Sequence, residues 1–181
     1  MKHPLLFVVS LLLTVSALFA ADKAPDFTAK DLDGQVFNLK AALEKGPVLL
    51  DFWADWCKPC KKALPHVEAI RKAWADSGLQ VLTISIDSPK TQARIAPYVK
   101  SQGYGFRVLL DPNAEVRQLF GGKDIPFTVL IDRDGAIVFQ HLGYKSGDEA
   151  ALEAAVKDAL IVHPSPFEAE PSQPVNEESD K

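Results

Sequence analysis

Two cysteines, Cys57 and Cys60, are all the chain contains, and only Lys58 and Pro59 separate them. A pair at this spacing can close a disulfide, carry thiol chemistry or supply half of a metal site. The flanking residues decide among these. Upstream, Pro47-Val48-Leu49-Leu50-Asp51-Phe52-Trp53 is a short apolar run opened by Gly46, the pattern of a buried strand. Downstream, Leu64, Val67, Ile70 and Trp74 recur at spacings of three, three and four, which places them on one face of a helix. The cysteines therefore stand where a strand ends and a helix begins. Free N–H groups and the positive end of the helix dipole stabilise an anion there, and the thiolate is the reactive form of cysteine. Lys58, Lys61 and Lys62 push the Cys57 thiol in the same direction, and Asp55 opposes them. Pro59 is tolerated because the first helical turn has no N–H partner to lose. Cys60 follows one turn on, within disulfide reach.

The competing readings are weaker. A closed zinc site wants four ligands, whereas the chain has no second cysteine pair and only His66 lies nearby. A purely structural disulfide would close so short a loop that it removes little chain entropy. Redox chemistry is the expectation.

Asp51-Phe52-Trp53-Ala54, with Trp56-Cys57 and Pro59-Cys60 after it, resembles the active-site signature of the thioredoxin superfamily. Ala24-Pro25-Asp26-Phe27, Asp31-Leu32-Asp33-Gly34 and the run from Ile125-Pro126-Phe127 to Asp134-Gly135 resemble its exported TlpA/ResA-like branch, and together the motifs span about residues 24 to 160. The resemblance implies a thioredoxin fold and a thiol–disulfide oxidoreductase acting on protein disulfides or thiols. Cys57 attacks, and Cys60 resolves the mixed disulfide. Asp51, flanked by Val48-Leu49-Leu50 and Phe52-Trp53, is expected to be buried and to take the Cys60 proton, as the carboxylate at the matching position does in thioredoxins. The resemblance further implies a cis Ile125-Pro126 bond against the disulfide, with the backbone near Ile125 pairing with an extended substrate. Trp56 is expected to be a contact surface beside Lys58 and Pro59, with Trp53 and Trp74 packed inside. No cofactor beyond the Cys57–Cys60 disulfide and no metal is expected.

One departure stands out: many ResA-like proteins carry Glu three residues after the second cysteine, where this chain has Ala63. Chemistry resting on that acid does not carry over. As to direction, Lys58 favours the reduced thiolate and a higher potential, whereas the buried acid and the TlpA-like frame point to a reductase supplied by a membrane-bound electron donor. Two other classes remain open. A peroxiredoxin-like thiol peroxidase shares the Ala-Pro-Asp-Phe opening but not Trp-Cys-x-Pro-Cys, and a non-catalytic folding or metallochaperone module would bind without turnover.

The elements that must position this motif are legible around it. The 181 residues suit one domain with appendages, 47% apolar content allows a real core, and a net charge of −4 gives no sign of nucleic-acid binding. Residues 1–21 read as a signal peptide: a basic start, an apolar stretch from Leu5 and Ala20-Ala21 for cleavage, with an uncleaved membrane anchor over residues 5–21 as the alternative. The location expected is periplasmic or otherwise extracytoplasmic. Residues 22–162 form the domain. A hairpin about Asp33-Gly34 and a helical turn from Ala41 precede the buried strand, and the motif helix is read to about Ser77, kinked at Pro65. A second strand over 79–86, a helix over 88–101 broken by Pro97, a strand over 106–110 and a helix over 113–120 come next. A hairpin about Asp132-Arg133-Asp134-Gly135 and a last helix opened by a Ser146–Glu149 capping box complete it. This order describes an α/β fold, a mixed central sheet flanked by helices with an N-terminal β-hairpin extension. Residues 163–181 hold four prolines among acidic residues and read as a disordered tail.

Overall fold

A computed structural model describes residues 22–162; the leader and the acidic tail read from the sequence lie outside the described residues. Seven strands form one sheet in the order β2-β1-β5-β4-β3-β6-β7. The apolar run becomes β3 (Val48–Trp53), buried at every residue, and pairs in parallel with β4 (Gln80–Ser85). On its other side lies antiparallel β6 (Phe127–Ile131), which continues to edge strand β7 (Ile137–Leu142) through the Asp132–Gly135 turn. The N-terminal hairpin, β1 (Thr28–Asp31) and β2 (Val36–Asn38), adds to the opposite side through β5 (Arg107–Leu110). The short helix α1 (Leu39–Leu43) follows it, starting two residues before Ala41 because Asn38 caps it. Three central parallel strands with antiparallel hairpins outside them make the mixed sheet of a thioredoxin-like fold.

Side chains alternate across β3, so Asp51 and Trp53 face one way and Phe52 the other. On the Phe52 side, the rings of Phe120 and Phe127 lie 6.2 and 5.7 Å away. The Asp51 side is covered by α2 (Lys58–Ala73), α3 (Ile95–Gln102) and α5 (Asp148–Val162). Trp53 is completely buried there against Tyr98 of α3, while Trp74 is half-buried against the core, as packing residues should be.

The helices differ from the sequence reading at their ends, each for a local reason. Helix α2 stops at Ala73 rather than near Ser77, where the Ser77 hydroxyl donates to the Trp74 carbonyl at 2.7 Å and closes a turn before Gly78. The stretch from Ser88 first makes a turn and a short 3₁₀ segment, and α3 begins only at Ile95. Pro97 then falls in the first turn of α3, where its missing N–H leaves no bond unmade, so it opens the helix rather than breaking it. Helix α4 is limited to Glu115–Leu119, with the Asp111 carboxylate accepting the N–H groups of Val116 and Arg117. The start of α5 is held by carboxylates rather than by the Ser146 hydroxyl: Asp148 accepts the Lys145 N–H at 2.7 Å and Glu149 the Gly147 N–H at 2.9 Å.

One contact ties α2 to the loop before β5. Glu68, buried on the helix, takes a two-pronged bond from Arg71 at 2.9 and 2.8 Å and the Gly105 N–H at 3.1 Å. Further on, Gly122 lies so close to the ring of Phe127 that an added Cβ would sit 2.5 Å from its Cδ1. That approach seats the loop before Ile125.

Candidate active site

Cys57 is the N-cap of α2, with extended backbone, and its Sγ accepts the Cys60 N–H at 3.2 Å. Any negative charge on this sulfur is therefore met by a helix-end donor already in place. Cys57 and Cys60 are joined as a disulfide with Cα atoms 5.3 Å apart. Cys60 is wholly buried and Cys57 4% exposed, so the sulfur expected to attack is nearly covered as well. What is exposed is its frame: Trp56 is 61% accessible, and Lys58 and Pro59 lie at the surface. Of the three lysines, Lys61 is engaged, 2.7 Å from Asp55 and over the Tyr98 ring at 4.3 Å. Its charge is thus offset locally, while the Asp55 N–H is bound by the buried Asp87 at 2.7 Å.

The Ile125-Pro126 bond is cis, and the Ile125 carbonyl oxygen lies 4.0 Å from Cys57 Sγ. In the disulfide that sulfur has no proton, so the contact becomes a hydrogen bond only in the thiol form. The Ile125 N–H is not free: Asp124 Oδ1 accepts it at 2.8 Å. A substrate strand pairing with this backbone must displace the Asp124 carboxylate, a constraint the sequence did not disclose.

Asp51 is fully buried. Its register partners are Thr83 on β4 and Thr128 on β6, and Thr128 donates to Asp51 Oδ1 at 2.8 Å. Asp51 Oδ2 finds no protein partner. Burial pushes this carboxyl up to about 7, the Thr128 hydrogen bond pulling it back only in part. A carboxylate poised near neutrality can give or take a proton under ordinary conditions. Beyond Thr128 the same row reaches His141, its partner on β7. Directly opposed residues share a face, so Asp51, Thr128 and His141 line one side of the sheet. His66, the nearest candidate for completing a zinc site, packs instead against Tyr144 with ring centres 5.6 Å apart.

Thr128, His141 and Asp124 were missed in the sequence. Asp124 stands next to the Ile125-Pro126 pair, a positional signal. Thr128 and His141 carry none, since only strand register brings them into line with Asp51.

The profile of the AhpC/TSA family matches residues 20–140. The thiol-disulfide oxidoreductase ResA of Bacillus thuringiensis (strain Al Hakam) is 32% identical over 172 residues, covering 86% of this chain and 96% of the relative. Among solved structures, one described as a thiol:disulfide interchange protein DsbE from Chlorobium tepidum superposes with a TM-score of 0.70 at 33% identity, covering 77% of this chain and 96% of that one. A thioredoxin family thiol:disulfide interchange protein from Chlorobium tepidum TLS does so at 0.65 and 28%, covering 77% and 97%. The family match takes in Cys57, Cys60 and the Ile125-Pro126 loop. The chain belongs to the AhpC/TSA family within the thioredoxin superfamily, and it is a thioredoxin-like thiol–disulfide oxidoreductase of the ResA and DsbE type.

Proposed function

We propose that this protein is an extracytoplasmic protein-disulfide reductase. Cys57 attacks a substrate disulfide and Cys60 resolves the mixed disulfide, with Asp51 taking the Cys60 proton. The observation that carries the reading is the disulfide at the mouth of α2, where Cys57 Sγ already accepts the Cys60 N–H and faces the Ile125 carbonyl. Electrons come from a membrane-bound donor, and the substrate lies extended along Ile125 and Pro126, against Trp56, Lys58 and Pro59. The reducing direction is supported by the buried Asp51, which assists loss of the Cys60 proton. The location is supported by the leader-like residues 1–21 and by resemblance to an exported branch. Among the described residues no helix is long and apolar enough to cross a membrane.

Insulin reduction with dithiothreitol is the direct test, and Cys57→Ser is expected to abolish the catalysed rate. The potential in glutathione buffers is expected near the thioredoxin end of a range of about −270 to −120 mV; a value close to −120 mV would reject the reducing direction. Trapping with Cys60→Ser should then recover substrate proteins as mixed disulfides on Cys57. The AhpC/TSA match keeps a peroxidase in view, and peroxide consumption sustained by Cys57 with Cys60 replaced would favour it over the reductase.

A further inference from the structure

Asp51, once it has accepted the Cys60 proton, must return that proton to solvent before it can act again, yet it has no exposed surface. A cavity of about 30 Å³ lies beside it, between α2, α5 and the sheet, and neither cysteine lines it. That volume holds roughly one or two waters. Asp51 Oδ2, without a protein partner, is a ready acceptor for one of them. Ala63 of α2, with its short side chain, forms part of the wall. The titratable groups around it are Asp51 of β3, His66 of α2, His141 of β7, Tyr144 of the following loop, and Asp148 and Glu149 of α5.

His141 is distinguished from the others by three features. It shares the row of Asp51 and Thr128 across the sheet, and its side chain is 39% exposed, so it meets both the cavity and solvent. Its Nε2 lies 2.9 Å from Asp148 Oδ2, and Asp148 is kept anionic by the Lys145 N–H and by the imidazole itself. With Nε2–H donated to Asp148, Nδ1 is the basic nitrogen of the neutral ring. His66 is placed differently, its ring against Tyr144, whose hydroxyl lies 3.4 Å from Glu149.

We propose that His141 is the residue through which Asp51 exchanges its proton with solvent, by way of water in the cavity between them; this rests on the reading of Asp51 as the base. In the resolving step the Cys60 S–H proton passes to the Asp51 carboxylate. The Cys60 thiolate attacks Cys57 Sγ, the Cys57–Cys60 bond forms, and the bond from Cys57 to the substrate breaks, its electron pair leaving with the substrate thiolate. Asp51 then gives its proton to cavity water, the water gives one to His141, and the imidazolium releases one to bulk. His141 touches no reacting sulfur; it is a positioning residue for the proton.

The test follows repeated turnover of a chromogenic aromatic disulfide across pH 6 to 9 in the full chain. Dithiothreitol re-reduces the Cys57–Cys60 bond, the uncatalysed rate is subtracted, and the folded state of each variant is checked by circular dichroism. His141→Ala is expected to slow turnover about tenfold above pH 7, less than the hundredfold or more attributed to a group that takes the proton directly from the reacting atom, because bulk water substitutes in part. The slow rate should rise with buffer concentration, and added imidazole should restore it. His66→Gln should leave the profile unchanged. Ala63→Val fills the cavity without altering His141, so it should show the same loss with no rescue by imidazole. Wild-type rates in both His141→Ala and Ala63→Val, with Asp51→Asn slow, would overturn the relay and leave the base in place. A loss carried by His66→Gln instead would overturn the relay in the same way. A wild-type rate in Asp51→Asn would overturn base and relay together.

Discussion

Thr128 and Asp51 face each other across β6 and β3, and the threonine hydroxyl donates to one carboxylate oxygen at 2.8 Å while the other oxygen has no protein partner. The arrangement leaves a wholly buried acid half-solvated by protein. It explains why burial outweighs hydrogen bonding and why this carboxyl sits near 7 rather than in the usual acidic range.

Asp51→Asn removes the proposed base. Release of the second thiol from a Cys57 mixed disulfide should rise through pH 7 in the wild type and lose that step in the variant, with a drop of about a hundredfold at pH 8. Stopped-flow absorbance between pH 5.5 and 9 checks it. Thr128→Val withdraws the one bond that favours the charged form, so the midpoint should move upward, by about one unit.

Stability should carry the opposite mark of the same group. A carboxyl raised from 3.8 to about 7 on folding is protonated more readily in the native state, so its penalty is absent below pH 4 and grows as pH rises to 7. Asp51→Asn should therefore stabilise the protein at pH 8, by about 2–4 kcal/mol, and change little near pH 4. Glu68 runs the other way. Its bond from Arg71 lowers its pKa, so the stability it adds is present above its ordinary value of 4.5 and is lost as pH falls through the lowered one. Urea melts at pH 3, 5 and 8 of the wild type, Asp51→Asn and Glu68→Gln separate the two.

Asp124→Ala frees the Ile125 N–H for an incoming strand. KM for a disulfide-containing peptide should fall severalfold, the expected size for one hydrogen bond that need no longer be displaced, with little change in kcat. Steady-state kinetics on one peptide decide this, and an unchanged KM would mean that substrates do not pair at Ile125.

Gly122→Ala forces a methyl group within 2.5 Å of Phe127 Cδ1 and 2.8 Å of Arg117 Cγ. Neither ring nor stem can withdraw cheaply, so the fold should lose about 1–3 kcal/mol. Because the displaced loop carries Ile125, activity should fall by more than the loss of folded protein accounts for. Thermal melts and activity per folded molecule provide the comparison.

Much of the molecule was legible in residue order because local physics set it. The apolar run ending at Trp53, the cysteines opening a helix and the Asp132–Gly135 turn are all decided within about ten residues, and each is where the sequence places it. Helix lengths were read less well. Ser77, Asp111 and Asp148 redirect backbone hydrogen bonds through side chains, and a periodicity of apolar residues does not register such competition.

The sequence by itself determined the chemistry: two sulfurs at a strand–helix junction, an acid inside an apolar run, and a proline ahead of a strand. Tertiary structure alone decided which groups serve that chemistry. Thr128 meets Asp51 across 77 residues of chain, His141 joins the row through one hairpin register, and the space under Ala63 exists only between packed elements. A shift of one residue in either register would turn Thr128 or His141 to the other face of the sheet, and no local pattern in the chain specifies which partners the pairing brings together.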